Sequence, residues 1–101
     1  MSEIVKQEDQ SIIKPGENVV ASMAQEFRKE LLSLLEGGIK ELIIDLTGVT
    51  MIDSIGIGVL VAAHNSISKS GGKLAVTNVS ENICSLFKTM RLDQHLEIKA
   101  A

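Results

Sequence analysis

A short apolar run, a turn and a long apolar run follow one another between residues 42 and 67, and this order constrains the fold more than any other feature. Leu42-Ile43-Ile44-Asp45-Leu46 has strand length and is bounded by Gly37-Gly38 before it and Thr47-Gly48 after it, which predicts a buried strand. Ile55 to Ile67 is too long for an ordinary strand and stops at Ser68-Lys69-Ser70-Gly71-Gly72, which predicts a helix. The turn between them delivers Ser54 to the helix start. A serine suits the N-cap there, where its hydroxyl accepts from a free amide of the first turn, and the same hydroxyl is within reach of another protein.

The rest of the chain supplies partners for this unit. Ser11-Ile12-Ile13-Lys14 and Val19-Val20-Ala21 are short strand candidates joined by the turn residues Pro15-Gly16-Glu17-Asn18, so a hairpin is expected. Ser22-Met23-Ala24-Gln25 fits a capping box with Ser22 at the N-cap. Behind it Ala24, Phe27, Leu31, Leu34 and Leu35 recur at helical spacing, with Glu26, Arg28, Lys29 and Glu30 between them and Gly37-Gly38 as the stop. Lys73 to Asn78 predicts another strand, and Ser80 followed by Ile83, Leu86, Phe87 and Met90 predicts a third helix. Leu96-Glu97-Ile98 is the last strand candidate. The alternation predicts an α/β fold: a mixed sheet of four to five strands, parallel in its second half, packed with about three helices. Residues 1–10 form a polar lead-in or an edge strand, and residues 11–101 the single domain.

Composition narrows the function. With 101 residues the chain buries one core, and 45% hydrophobic content is ample for it. A net charge of −3 and only two aromatics, Phe27 and Phe87, argue against nucleic acid, because phosphate contacts need cations and bases need stacking surfaces. The polar, acidic start has no signal-peptide character, and the most apolar stretch, Ile55 to Ala63, falls well short of the roughly 20 residues of a membrane span, so a cytoplasmic protein without membrane contact is expected. The lone Cys84 cannot form an internal disulfide and is read as a packed side chain.

Placed at 100° steps, Gly56, Val59, Leu60, Ala63 and Ile67 share the core side of the central helix. Ser54, Gly58, Val61 and Asn65 lie opposite, flanked by Ile57, Ala62 and Ser68. An ordinary solvated face carries Glu and Lys, yet the first charge after Asp53 is Lys69, so this face is expected to dock another protein. Catalysis is not expected: Ile52 stands where a nucleophile elbow needs glycine, His64 and His95 come with no orienting carboxylate, and Gly56-x-Gly58 lacks the third glycine of a dinucleotide loop and the lysine of a phosphate loop. No cofactor or metal is called for.

Leu42 to Leu60, and above all Asp53-Ser54-Ile55-Gly56-Ile57-Gly58-Val59-Leu60, resembles the signature of anti-sigma factor antagonists of the STAS domain family. The likeness extends more weakly over almost the whole chain. It implies a single STAS domain whose Ser54 is phosphorylated by a partner that is both an anti-sigma factor and an ATP-dependent serine kinase, the ATP being bound by that partner. It also implies a serine phosphatase, and capture of the anti-sigma factor by the unphosphorylated form alone, which frees the sigma factor. Partner contacts are then expected at Asp53, Ser54, Ile57, Gly58, Val61, Ala62 and Asn65, with Thr50 as a second candidate phosphosite and a monomer as the free state. Asp53 either positions the hydroxyl for the kinase or favours the helix start. A phosphate on Ser54 is expected to meet free amides at the helix start and to leave the fold intact. The alternative is a non-switching STAS module of a lipid-transport, transporter-associated or sensory complex. The chain departs from the family pattern at Gly16-Glu17-Asn18-Val19-Val20-Ala21-Ser22, where an acidic, small-residue stretch is common, and at its end, where many members continue into a further helix.

Overall fold

The computed structural model describes residues 2–101 and contains one five-stranded mixed sheet. In chain order the elements are β1 (Glu3–Gln7), β2 (Gln10–Lys14), α1 (Ala21–Glu36), β3 (Glu41–Asp45), α2 (Ser54–Lys69), β4 (Lys73–Val79), α3 (Glu81–Thr89), a 3-10 turn (Leu92–Gln94) and β5 (Glu97–Ala100). Sheet order follows chain order, with β1 antiparallel to β2 and every later neighbour parallel. Parallel neighbours require crossovers, and the three helices supply them. The expected architecture is therefore present.

Alternation along the strands decides which face is covered. Ile13, Leu42, Ile44, Leu74 and Val76 are buried on one face, in a core shared with Phe27 and Leu31 of α1, Leu60 and Ile67 of α2, and Ile83 and Phe87 of α3. Their alternates Ile12, Ile43 and Thr77 are only half-buried on the other face. Burying a Leu, Ile or Phe side chain contributes about 1.5–3 kcal/mol. This exceeds the ~1 kcal/mol of a typical helix cap, so packing outranks capping in deciding where the helices lie.

Three local expectations need correction. The hairpin joins β1 to β2 through Glu8 and Asp9, whereas Val19 leaves the first pair of strands and makes an isolated parallel bridge to Ile52. The Val19 amide donates to the Met51 carbonyl at 3.1 Å, and the Asp53 amide donates to the Val19 carbonyl at 3.2 Å. Pro15-Gly16 thus turns the chain across the sheet end instead of back along β2. In α1 the N-cap is Val20, with no side-chain cap, and Ser22 lies inside the first turn, so the predicted capping box does not form. In α3 Ile83 and Phe87 are buried as expected, Leu86 is half-buried and Met90 is exposed, because a helix of nine residues at the sheet edge covers the core with a narrow stripe only.

Candidate functional site

The site forms at the carboxyl end of β3, where the chain runs through Thr50 to Asp53 and enters α2. Asn18 holds the first part of this loop: its Oδ1 accepts from the Thr50 amide at 2.9 Å, the Thr50 hydroxyl at 3.2 Å and the Met51 amide at 3.1 Å. On the other side the Asn82 amide group donates to the Thr50 carbonyl at 2.8 Å. Thr50 is exposed, and its hydroxyl is engaged by Asn18 in shaping the loop.

Asp53 ties two helices together. One carboxylate oxygen, Oδ1, accepts from the Gly56 amide of α2 at 2.8 Å, and the other, Oδ2, accepts from the Ala21 amide, the first of α1, at 2.9 Å. Asp53 is the N-cap of α2, and Ser54 is its first helical residue, which corrects the expectation of a serine cap. A full negative charge serves better here because it faces the positive ends of two helix dipoles. The Asp53 carboxyl is held below the usual carboxylate range, foremost by the hydrogen bond from Gly56 and next by that from Ala21. Both oxygens are thus committed to backbone amides, in line with a role in starting the helices. α1, lacking a cap of its own, takes one from the loop before α2.

Gly56 lets this junction close. A Cβ there would stand 2.2 Å from the Val19 carbonyl oxygen, so only glycine admits the bridge between Val19 and Ile52 beneath the first turn of α2. Gly58 faces open space, with nothing within 4 Å of a Cβ placed on it.

Ser54 is exposed, and its hydroxyl makes no hydrogen bond to another described residue. Gly58, Ala62 and Asn65 are exposed along the same helix, Val61 is half-buried, and no charged side chain interrupts them before Lys69. Ile57 is the exception among the expected contact residues. It is 6% exposed and belongs to the hydrophobic core, so the buried arc of α2 is wider than a single core stripe and a partner cannot reach Ile57 from the surface. Two large apolar side chains missing from the sequence-derived set flank Ser54 instead: Met51 is 56% exposed and Ile55 is 53% exposed. Ile52, between them in sequence, is buried. The sequence signal for this split is the polar pair Thr50 and Asp53 on either side of Met51-Ile52, which does not say which of two neighbouring apolar residues points outward. Beyond Ala62 the surface continues into a shallow groove of about 80 Å³ between α2 and α1, lined in part by Leu32 and Leu35.

An exposed hydroxyl at the head of an uncharged helix face can be modified and can be covered by a partner, and the carboxylate of the adjacent Asp53 is committed to backbone amides. His64 and His95 line a separate cleft with Val61, Asn65, Leu92 and Leu96 farther along α2. Among the described residues no group of three or more His, Cys, Asp or Glu is placed to hold a metal ion, and no helix is long and apolar enough to cross a membrane.

The STAS domain sequence model matches residues 2–101. Over 73 residues the chain is 37% identical to the anti-sigma-B factor antagonist of Bacillus subtilis strain 168, an alignment that covers 72% of this chain and 66% of that relative. A Thermotoga maritima protein provisionally described as an anti-sigma factor antagonist superposes with a TM-score of 0.92 at 27% identity, over 99% of this chain and 86% of the other. The Bacillus cell fate determinant SpoIIAA in its phosphorylated form has the same fold, with a TM-score of 0.76 at 15% identity over 97% of this chain and 90% of that one.

Proposed function

The chain belongs to the STAS domain family, and on that premise we propose that it is an anti-sigma factor antagonist switched by phosphorylation of Ser54. The observation that carries this reading is the exposed, unengaged Ser54 hydroxyl at the head of an uncharged helix face, between Met51 and Ile55. The names of its relatives support the partner class. In the unphosphorylated form the partner's apolar side chains pack on Met51, Ile55, Gly58 and Ala62, with Val61 and Asn65 at the rim. A sigma factor held by the same partner is released. The partner, an anti-sigma factor and serine kinase, brings ATP to Ser54, and a serine phosphatase restores the binding form.

The chemistry of the off state follows from the cap. A phosphoryl group adds about −1.5 to −2 charges at neutral pH. The Gly56 amide at the head of α2 is already held by Asp53, so the phosphoryl group has fewer free donors than expected from the sequence and stays at the surface beside a carboxylate. That concentrated charge has to be desolvated when an apolar partner covers it, which costs several kcal/mol in an uncompensated site. Binding is lost while the fold stays intact. The shared fold of the phosphorylated relative is consistent with this.

The test is titration with the anti-sigma factor encoded by the same organism, together with phosphopeptide mass spectrometry after incubation with that protein and ATP. Ser54→Ala should bind and resist phosphorylation, and Ser54→Asp should bind at least about tenfold more weakly with unchanged circular dichroism. Phosphate found only on another residue, or equal binding by all three forms, would replace the switch by a constitutive STAS binding module.

A further inference from the structure

The sheet ends in two edges, and they differ in how regularly they are paired. β5 has four residues, its pairing with β4 shifts register between Val76 and Val79, and it carries Glu97 and Lys99 in an exposed pair 3.9 Å apart. Irregular pairing and alternating charge are devices that keep an edge from recruiting another strand. β1 lacks the irregular pairing, although it too carries two exposed charges, Glu3 and Lys6. Its five residues pair with β2 without a break from Glu3 opposite Lys14 to Gln7 opposite Gln10, and every one of them is exposed. Among the described residues nothing pairs with its outer edge. At its middle Ile4 is 38% exposed and Val5 52% exposed.

We propose that β1 is a self-association edge, through which two copies of this chain pair antiparallel about a two-fold axis at Val5. This arrangement goes beyond the antagonist function and replaces the monomer expected from the sequence. A two-fold pairing of identical strands must place a residue opposite itself, and only the register centred on Val5 engages all five residues of β1. Centring on Lys6 would set two like charges face to face, which is unfavourable, whereas at Val5 no like charges stand directly opposite. Val5 meets Val5, Glu3 meets Gln7, and Lys6 lies along Ile4.

Both faces of the sheet favour that register. On the uncovered face Val5 pairs with Ile12, Ile12 with Ile43 and Ile43 with Ala75, so the axis at Val5 joins two apolar rows into one. On the helix side the Ser2 amide and hydroxyl donate to the Glu30 carboxylate at 3.3 and 2.8 Å, which brings an anion of α1 to the start of β1. Lys6 of the second copy stands diagonally across from Ser2, about 7–8 Å away along the strands, within reach of Glu30. The charge complementarity occurs twice by symmetry. Pairing β1 with β1 closes on itself as a dimer, whereas a β1–β5 contact is heterologous and leaves one edge of each kind open in a pair. Antiparallel pairing also turns one copy end for end, so the two Ser54 surfaces, each at the carboxyl end of the parallel strands, face opposite ways and stay open.

Sedimentation velocity over a range of concentrations tests the pairing. The unmodified chain should show a reversible monomer–dimer equilibrium. Val5→Lys and Val5→Glu should each weaken dimerisation by about tenfold or more, and an equimolar mixture of the two should restore it, because Lys then faces Glu across the axis. A chain that stays monomeric up to about 1 mM overturns the proposal, as does a dimer indifferent to Val5→Lys, or a mixture that stays monomeric while circular dichroism shows both variants folded. Should either variant fail to fold, isotope-filtered nuclear Overhauser spectra of mixed labelled and unlabelled chains decide. Contacts from Val5 to Val5 between copies are expected, and a dimer without them refutes the arrangement.

Discussion

The two long helices have the same length and lie on the same face of the sheet, packed against each other, yet they treat solvent in opposite ways. α1 and α2 each span 16 residues. α1 exposes Gln25, Glu26, Arg28 and Lys29, the pattern of a helix whose outer face only has to be hydrated. α2 exposes Ser54, Ile55, Gly58, Ala62 and Asn65 and has no charge before its last residue. Their beginnings differ as well, since the only side-chain cap at either start is Asp53, just ahead of α2, and it serves both. The scaffold requirement is therefore met by α1 at ordinary cost, and the unusual features of the pair collect at the first turn of α2, beside Ser54.

The strongest way to break the pair is to fill the space at Gly56. Gly56→Ala puts a methyl group 2.2 Å from a backbone oxygen that also receives the Asp53 amide, so the neighbour cannot move without losing that bond. Overpacking of this kind costs about 1–3 kcal/mol, and the upper end is expected here because the obstacle is backbone. Urea unfolding measures it, and a loss below about 0.5 kcal/mol would mean that the bridge between Val19 and Ile52 is not held in solution.

Removing the shared cap should act on both helices at once. Asp53→Ala should lower the melting temperature and speed amide exchange at Ala21 as well as at Gly56. A change confined to Gly56 would leave α1 independent of the cap. The pH dependence has a definite sign. Because the folded carboxyl titrates below the unfolded one, its stabilisation is fully present above the ordinary value of about 3.9 and is lost as pH falls through the folded value. Asp45 adds acid sensitivity of the same sign. Burial alone would raise its pKa, but hydrogen bonds from Thr47 and Asn78 together outweigh it and hold it low. The difference between wild type and Asp53→Ala therefore isolates Asp53, and it should shrink as the solution is acidified below about pH 4.

Gly58 offers the opposite outcome from Gly56 two residues away. With open space around its Cβ, Gly58→Ala should stabilise the chain by about 1 kcal/mol. The same methyl group stands on the exposed face, so partner binding should weaken while stability rises. If binding is unchanged as stability increases, the docking surface does not include Gly58.

Periodicity and punctuation sufficed for the sheet, the three helices and the core side of α2, because apolar spacing reports burial directly. Contacts between segments distant in sequence were less legible. Nothing local reveals that Val19 pairs with Ile52, so the run from Val19 to Ala21 looked like a hairpin strand. Ile57 sits on the margin of a wheel drawn for one packing surface, and the core extends far enough around α2 to bury it. Ser54 and the uncharged stretch after it were visible because absence of charge on an outer helix face is a local pattern. Met51 and Ile55 were not, since exposure of a single apolar residue near a turn depends on what the turn packs against.

The smallest expected effect separates a local rule from the structure that overrides it. Ser22 and Gln25 have the spacing of a capping box, and if that box formed, Ser22→Ala would cost about 1 kcal/mol. In the structure the helix has already begun at Ala21, whose amide is satisfied by Asp53 from a segment more than thirty residues away. Ser22 is exposed inside the first turn. Alanine is the better helix former there, so Ser22→Ala should change unfolding free energy by less than about 0.5 kcal/mol. In the Asp53→Ala background the same substitution becomes informative: with the borrowed cap gone, a new cost at Ser22 would mean that the helix start slides to use its own serine. Continued neutrality would mean that packing of Met23, Ala24 and Phe27 fixes the start by itself.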